Sequence, residues 1–336
     1  MAVDHNEEMS TLDNSNARSE TRLPDWALMV ARGKDARAFL HGQLTQDMDH
    51  LLPGEVRLAG YCSAKGRLLA TLWVWVNAQD EVFLAGSADV MPGLVKRLSM
   101  FVLRADCKLQ LLDWPMVGEC AVKESTGGDL QPGWAVHASS DGSVTTIHLP
   151  EIDLPGIGRV ARVLRTGTEA GLSQVAVSEP ALDLWHGLEV ASGIARVVAS
   201  TQDQFVPQML NWELVGGVNF KKGCYPGQEV VARSQYRGTL KRRTFLFEVN
   251  TPVSPGDEIF SQDDPEQPAG RVVLCAPAVS ASPGVQRVPR HTHWALVEVK
   301  WSAIQSQSTL HGGSLDGPLL TLKALPYPVP SPEVDA

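Results

Sequence analysis

The sequence predicts an α+β fold in which two related α+β pieces are followed by a small antiparallel β-barrel. Three observations predict it. In residues 22–115, apolar strand-like runs surround one clear helical pattern. In residues 116–240, short strand-like runs separated by glycine, aspartate, serine and proline lead into a second helical pattern. From Lys241 onward, short strands are separated only by turns, which is typical of a small antiparallel barrel ending near residue 328.

Length, composition and charge narrow the class of protein. The chain has 336 residues, enough for two or three domains with their own cores. The formal net charge of -9 gives no general reason to expect direct nucleic-acid binding. Basic residues do cluster locally. The cluster indicates either a local anion site or simply a solvated face. Its residues are Lys221, Lys222, Arg233, Arg237, Lys241, Arg242 and Arg243.

The cysteines and histidines argue against a disulfide framework and against a resident metal. The cysteines are scattered, odd in number and contain no C-x-x-C pair. This pattern fits a reducing cytoplasm. His291 and His293 share a predicted strand face without a third ligand nearby, so no tightly bound metal is expected. The cysteines are Cys62, Cys107, Cys120, Cys224 and Cys275.

The N-terminal 21 residues are polar and acidic and lack the apolar stretch of a signal peptide. We therefore expect a disordered tail over 1–21. No apolar run in the sequence is long enough to span a membrane, so no membrane association is expected.

Local patterns predict the elements of the first piece. Asp35 is a plausible N-cap for a short helix, and Lys65-Gly66 is a hairpin-turn signal ahead of an apolar strand. The predicted elements are, in order, a helix at 35–40, a strand at 68–76, its partner at 81–85, a helix at 91–101 and a strand at 102–112.

The second piece and the barrel follow the same reasoning. Gly193 is a predicted C-cap for the helix that opens the last third of the second piece. The predicted elements are strands at 120–122, 144–149 and 159–164, a helix at 181–191, and barrel strands at 244–249, 258–260, 270–274 and 294–299.

The stretch from Lys221 to Glu229 carries the strongest functional signal. Cys224 follows two lysines, and Tyr225-Pro226-Gly227 predicts a tight turn before a helix that begins near Gln228. A helix N-terminus and nearby ammonium groups both favour a thiolate over a thiol. These residues predict a nucleophilic, redox-active or ligand-touching cysteine. The alternative is an inert, buried cysteine in a turn.

This stretch resembles the signature of the YgfZ proteins, which are folate-binding relatives of the glycine cleavage T-protein, the aminomethyltransferase GcvT. The matching residues are Lys222-Gly223-Cys224-Tyr225-x-Gly227-Gln228-Glu229. Pro226 departs from the pattern, in which a small hydroxyl residue is frequent. Three further stretches resemble the same family, at 33–47, 204–211 and 216–220.

The resemblance implies a GcvT-like arrangement of two α+β pieces and a barrel around a central cavity that binds tetrahydrofolate or a one-carbon derivative. Trp26 and Trp185 match folate-contacting tryptophans of the family, although a tryptophan taken alone is more often a core residue. Glu189, one turn after Trp185, matches the region from which the aminomethyltransferases supply a pterin-binding carboxylate. An exposed helix residue is the alternative for Glu189.

The remaining candidate folate-binding residues are polar or come from the signature. They are the amides Gln43, Asn211 and Gln228, the cations Lys222 and Arg233, which suit the glutamate tail of folate, and Tyr225.

The function implied by the resemblance is tetrahydrofolate-dependent support of iron–sulfur cluster assembly or repair, which in turn affects iron–sulfur enzymes that modify tRNA. Its expected partners are folate and iron–sulfur assembly or client proteins. Two alternatives stay open. One is a folate-dependent one-carbon transferase, although the 65–71 hairpin lacks the acidic residue of the aminomethyltransferases. The other is a non-catalytic adaptor that senses folate.

Overall fold

The protein is described here by a computed structural model that covers residues 18–123, 133–172, 174–236, 240–279 and 291–331. Its strands up to residue 167 are β1 (Arg18–Arg22), β2 (Trp26–Arg32), β3 (Val56–Cys62), β4 (Leu68–Val76), β5 (Val82–Ser87), β6 (Lys108–Leu112), β7 (Met116–Lys123), β8 (Ala135–Ala138), β9 (Val144–His148), β10 (Ile152–Leu154) and β11 (Gly158–Gly167).

The later strands are β12 (Arg242–Val249), β13 (Glu258–Ser261), β14 (Gly270–Pro277), β15 (His293–Lys300), β16 (Leu310–Gly312) and β17 (Leu319–Lys323). The α-helices are α1 (Ala36–His41), α2 (Met91–Ser99), α3 (Glu169–Leu172), α4 (Glu179–Ala191), α5 (Gln228–Tyr236) and α6 (Trp301–Gln305). Two 3₁₀ turns lie at Ala199–Thr201 and Pro207–Leu210.

The first sheet is antiparallel, with the strand order β3-β4-β5-β2-β6. Its central strands are buried on both faces. In β4, Trp73 and Trp75 face the large core shared with the rest of the chain, whereas Val74 faces a second core beneath α1 and α2. This two-sided burial explains why the sequence of β4 is continuously apolar rather than alternating.

The second sheet has the order β1-β7-β11-β9-β8, and β10 pairs with β11. The predicted disordered tail is wrong for its last four residues, because β1 pairs with β7 from Arg18↔Ala121 to Arg22↔Val117. Ladder hydrogen bonds, rather than apolar burial, hold this polar strand in place. Residues 1–17 of the predicted tail lie outside the described residues.

The predicted C-terminal barrel is confirmed. Its six strands close in the order β12-β15-β14-β13-β16-β17 around a separate apolar core that includes Phe247, Val272 and Val297. Sequence patterns missed β16 and β17, because β16 has three residues and β17 has one buried residue among four exposed ones.

Helix α4 lies between the second sheet and the barrel. It begins two residues before the predicted start, with Pro180 in its first turn, and it ends before Gly193, whose φ is +69° as a C-cap requires. It packs against the second sheet and against β14 and β15 of the barrel.

The predicted strand at 102–112 is shorter than expected, because only Lys108–Leu112 pairs with β2. Among the described residues, no helix combines the length and apolarity needed to cross a bilayer.

Candidate functional site

A buried ion-pair network surrounds Arg196, in the loop after α4. The Arg196 side chain donates from Nε to Glu189 Oε1 at 2.6 Å and from Nη2 to Glu189 Oε2 at 3.0 Å. Nη2 also reaches Asp25 Oδ2 at 2.5 Å, and Nη1 reaches Ser87 Oγ at 3.1 Å. Glu189 is only 5% exposed, so the alternative of an exposed helix residue is wrong.

Asp25 is shared between Arg196 and His186. His186 Nε2 lies 3.1 Å from Asp25 Oδ2. Burial opposes ionisation of Asp25, but the hydrogen bond from His186 and the charge of Arg196 together hold the pKa of this carboxyl well below its usual range. Burial likewise opposes protonation of His186, yet its bond to Asp25 raises the pKa of the imidazole above its ordinary value. Asp25 and Arg196 are therefore both charged near neutral pH.

Trp26 and Trp185 both lie in the large shared core, at 5% and 1% exposure. The centroid of the Trp26 ring lies 4.4 Å from that of the Trp73 ring and 4.8 Å from the guanidinium carbon of Arg196. Trp185 packs directly onto Gly118 of β7, where a Cβ would lie 2.5 Å from the indole. Neither indole N–H has a hydrogen-bond partner among the described residues. The indole N–H groups of Trp212, Trp294 and Trp301 also lack a partner among the described residues, so this feature alone does not mark a ligand site.

The loop that carries Cys224 packs on the β3–β4 hairpin. Helix α5 begins at Gln228 as predicted, and Gly227 has a φ of +79°. A Cβ at Gly227 would lie 2.4 Å from Ser63 O and 2.6 Å from Gly66, so only glycine fits there. Cys224 is exposed, so the alternative of a buried cysteine is wrong.

Lys222 ties this loop to the end of α1. Its ammonium donates to Leu44 O at 2.9 Å and to His41 O, and it lies 5.0 Å from the Tyr225 ring. Burial lowers the pKa of Lys222 to about 8, against the opposing charges of Asp47 and Asp49. Two of the three ammonium donors are thus occupied by protein carbonyls, which leaves one for the predicted contact with a folate tail.

An acidic pair that the sequence did not indicate lies beside this loop. His41 Nδ1 is 3.2 Å from Asp47 Oδ1 and 3.3 Å from Asp49 Oδ2. The opposite ring atom, Nε2, would be 3.5 Å from a Cβ at Gly223. The His41 ring therefore lies between two carboxylates and the backbone next to Cys224.

The other predicted ligands are dispersed. Asn211 is fully buried, and its Nδ2 donates to Thr244 O at 2.7 Å. This bond joins the loop after Pro207–Leu210 to the barrel, which differs from the predicted role in orienting folate. Tyr225 is buried, Gln43 and Gln228 are half-buried, and Arg233 is exposed on α5.

Sequence reasoning missed Arg196, Asp25 and His186. Arg196 did leave a signal, because it is a single charge within the apolar run from Ile194 to Val198. Asp25 also left one, because it directly precedes Trp26. Neither signal reveals the partners, because the network joins segments about 170 residues apart, as the bonds between Arg196 and Asp25 show.

Comparisons with known proteins find relatives of this chain by sequence and by fold. The chain is 29% identical over 243 residues to an uncharacterized protein of Haemophilus influenzae, covering 71% of this chain and 78% of that protein. It is 28% identical over 232 residues to the tRNA-modifying protein YgfZ of Shigella boydii and to that of Escherichia coli, covering 67% of this chain and 70% of each relative.

The fold comparison extends over nearly the whole chain. The glycine cleavage system aminomethyltransferase T from Bartonella henselae superposes with a TM-score of 0.70, covering 94% of this chain and 87% of that structure. Its sequence identity of 13% means that this likeness shows the fold alone. No protein-family model matches the chain. The sequence relatives and the shared fold together make this chain a YgfZ/GcvT-like protein.

Proposed function

We propose that this protein binds tetrahydrofolate, or a one-carbon derivative of it, and supports iron–sulfur cluster assembly or repair and thereby tRNA modification. The observation that carries the proposal is the convergence of Trp26, Trp185 and Glu189 in one buried region of a fold shared with an aminomethyltransferase. Relatives named as tRNA-modifying proteins support the link to tRNA.

The chemistry of these residues suits a pterin ring. A flat heteroaromatic ring needs apolar aromatic neighbours and a few polar groups that fix its orientation. Glu189 is held by Arg196 through one lone pair on each oxygen, so the carboxylate keeps acceptor capacity for a ligand amino group and ring N–H. The unpartnered indole N–H groups of Trp26 and Trp185 offer two further donors.

Cys224 would act at the edge of this site. Bound tetrahydrofolate would supply a carrier for a one-carbon group. Cys224 is exposed, and it lies two residues after Lys222, whose half-buried side chain donates to Leu44 O. The negative net charge argues that any effect on tRNA passes through a partner enzyme rather than through direct RNA binding.

A one-carbon transferase is a second candidate, and one observation favours it. The hairpin between β3 and β4 has no carboxylate of its own, but Asp203 lies beside it and accepts a hydrogen bond from Ser63 Oγ at 2.7 Å. A transferase that used this carboxylate would lose turnover when Asp203 is replaced by asparagine. A protein that only binds folate would keep its affinity and show no turnover in either form.

Titration calorimetry of tetrahydrofolate against the purified protein tests folate binding. We expect saturable binding by the parent, weaker binding by Trp26→Phe and Trp185→Phe, and parental affinity for Trp301→Phe. Trp301 is the matched control, because its indole packs on Phe245 in the barrel. Absence of binding by the parent at millimolar ligand would reject the folate proposal.

A further inference from the structure

Arg162 is a buried cation that forms no salt bridge with any described residue. It lies on the inward face of β11 and is 2% exposed. The two other arginines that are this deeply buried both form ion pairs, Arg196 with Glu189 and Arg243 with Glu213. Among the described residues, no carboxylate forms an ion pair with Arg162, and its Nε has no hydrogen-bond partner.

The surroundings of Arg162 are those of the proposed folate site. Its guanidinium carbon lies 6.0 Å from the centroid of the Trp185 ring. Its cross-strand neighbour is Cys120, two residues from the Gly118 on which Trp185 packs. Burial lowers the pKa of Arg162 to about 10, while the charge of Glu189 acts in the opposite direction. Arg162 is therefore still a cation at neutral pH.

A buried, unpaired guanidinium is unfavourable unless something completes it. Arginine has five N–H donors and no acceptor, so its complement must carry an acceptor atom. Cys120 cannot supply an anion, because burial raises the pKa of its thiol to about 12. No described carboxylate forms a salt bridge with this guanidinium, and the Trp185 ring beside it offers a surface for an aromatic ligand.

We propose that Arg162 recognises the ring oxygen of the pterin. This inference rests on the proposed function. One edge of that ring presents an amino group, a ring N–H and a carbonyl oxygen, in that order. Glu189 on α4 is an acceptor for the first two groups, and Arg162 on β11 is a donor for the third. Together they read the edge as donor, donor and acceptor, which a bare aromatic pocket would not do.

Two ligands that differ at this oxygen test the proposal. Tetrahydroaminopterin carries an amino group where tetrahydrofolate carries the ring oxygen, and its adjacent ring nitrogen carries no hydrogen. This second difference affects the parent and the variant equally. We expect the parent to bind tetrahydrofolate more tightly, and Arg162→Met to bind it at least 10-fold more weakly, about 1.4 kcal/mol. The same variant should bind tetrahydroaminopterin within about 3-fold of the parent, because no acceptor is lost there. Arg159→Met, on the same strand but the opposite face, is the matched control and should change neither affinity.

A measurement on the ligand-free protein separates recognition from a structural role. Since Arg162→Met removes an unpaired buried charge and keeps much of the side-chain volume, we expect its melting temperature to equal or exceed that of the parent. A lower melting temperature together with unchanged tetrahydrofolate affinity would overturn the proposal and make Arg162 a structural residue. A parent that binds no tetrahydrofolate overturns the proposed function and this inference together. A parent that binds it while Arg162→Met binds equally well overturns this inference alone.

Discussion

Arg196 binds the carboxylate of Glu189 side-on, with Nε 2.6 Å from Oε1 and Nη2 3.0 Å from Oε2. The two residues are seven apart in sequence, and the left-handed Gly193 that ends α4 lets the chain turn back between them. Both side chains are less than a tenth exposed. A buried ion pair of this kind is weak evidence for stability, because burying the charges offsets their attraction. Arg196 also lies over the Trp26 ring, and under the proposed function its role is to hold the Glu189 carboxylate in place for a pterin ligand.

Removing the cation from this network should destabilise the protein strongly. Arg196→Met leaves the carboxylates of Glu189 and Asp25 without their counter-ion, which should lower the free energy of unfolding by about 3–5 kcal/mol. Urea denaturation measures the loss. The double variant Arg196→Met, Glu189→Leu should recover part of it, because the buried charge is removed together with its partner. If Arg196→Met lost less than about 1 kcal/mol, the ion pairs of Arg196 with Glu189 and Asp25 would not be formed in solution.

The Asp25–His186 bond should make the free energy of unfolding depend on pH in two separate pH ranges. The pKa of His186 is raised in the folded protein, so its contribution is fully present below the ordinary histidine pKa near 6.5 and is lost as pH rises through the folded value. The pKa of Asp25 is lowered, so its contribution is present above the ordinary value near 3.9 and is lost as pH falls through the folded value.

The test compares urea denaturation of the parent with that of His186→Asn across the pH range. The stability difference between them should be largest between about pH 4.5 and 6 and should shrink as the pH passes the raised histidine pKa. His148→Asn, at an exposed position on β9, is the control. A difference that does not change from about pH 5 to 9 would mean that protonation of His186 is not coupled to folding.

Alanine substitutions at two glycines distinguish the cost of a left-handed backbone from the cost of a steric clash between two segments. Gly227 has a φ of +79° and lies against Ser63 and Gly66, whereas Gly156 has a φ of +80° and no atom within 4 Å of its Cβ position. Alanine at Gly156 should cost about 1 kcal/mol for the left-handed backbone alone. Alanine at Gly227 should cost at least about 2 kcal/mol more, because the loop must leave the hairpin. Equal losses in urea denaturation would contradict the packing of this loop on the β3–β4 hairpin.

Features set by local sequence were predictable. The barrel, the helix from Glu179 to Ala191 and the turn before Gln228 all follow from alternating or helical apolar spacing and from the placement of glycine and proline. Strand β1 was not predictable, because its polar residues become ordered only through pairing with β7. The short strand β16 is too brief to show a period.

The site divides in the same way. Cys224 and its turn are recognisable from nine consecutive residues. The partner of Glu189 is not, because Arg196 reaches it only after the chain turns at Gly193, and Asp25 binds the same guanidinium from a segment 171 residues away in sequence. Asn211 has a structural contact that its sequence context did not indicate, and its contact with folate stays a prediction. An amide within a family-like stretch suggested ligand contact, but the fold uses it to bond the barrel backbone at Thr244.

Cys224 should be the most reactive thiol of the native protein. It is exposed, whereas Cys62 and Cys120 are buried and their thiols have pKa values raised by burial to about 12. Iodoacetamide at pH 7.5 should therefore modify Cys224 at least about 10-fold faster than either, as followed by peptide mass spectrometry. Cys224→Ala should remove the fast phase, and the partly exposed Cys107 provides the control variant Cys107→Ala, which should keep it.

The same pair of variants separates thiol chemistry from an adaptor role. In cells that depend on this protein for iron–sulfur enzyme activity, loss of function in Cys224→Ala but not in Cys107→Ala would mean that the thiol itself is required. If both variants support normal activity while both still bind tetrahydrofolate, the protein acts without thiol chemistry, and folate binding is the step that matters. The fold should survive either substitution, because Cys224 is an exposed loop residue whose side chain contributes little packing.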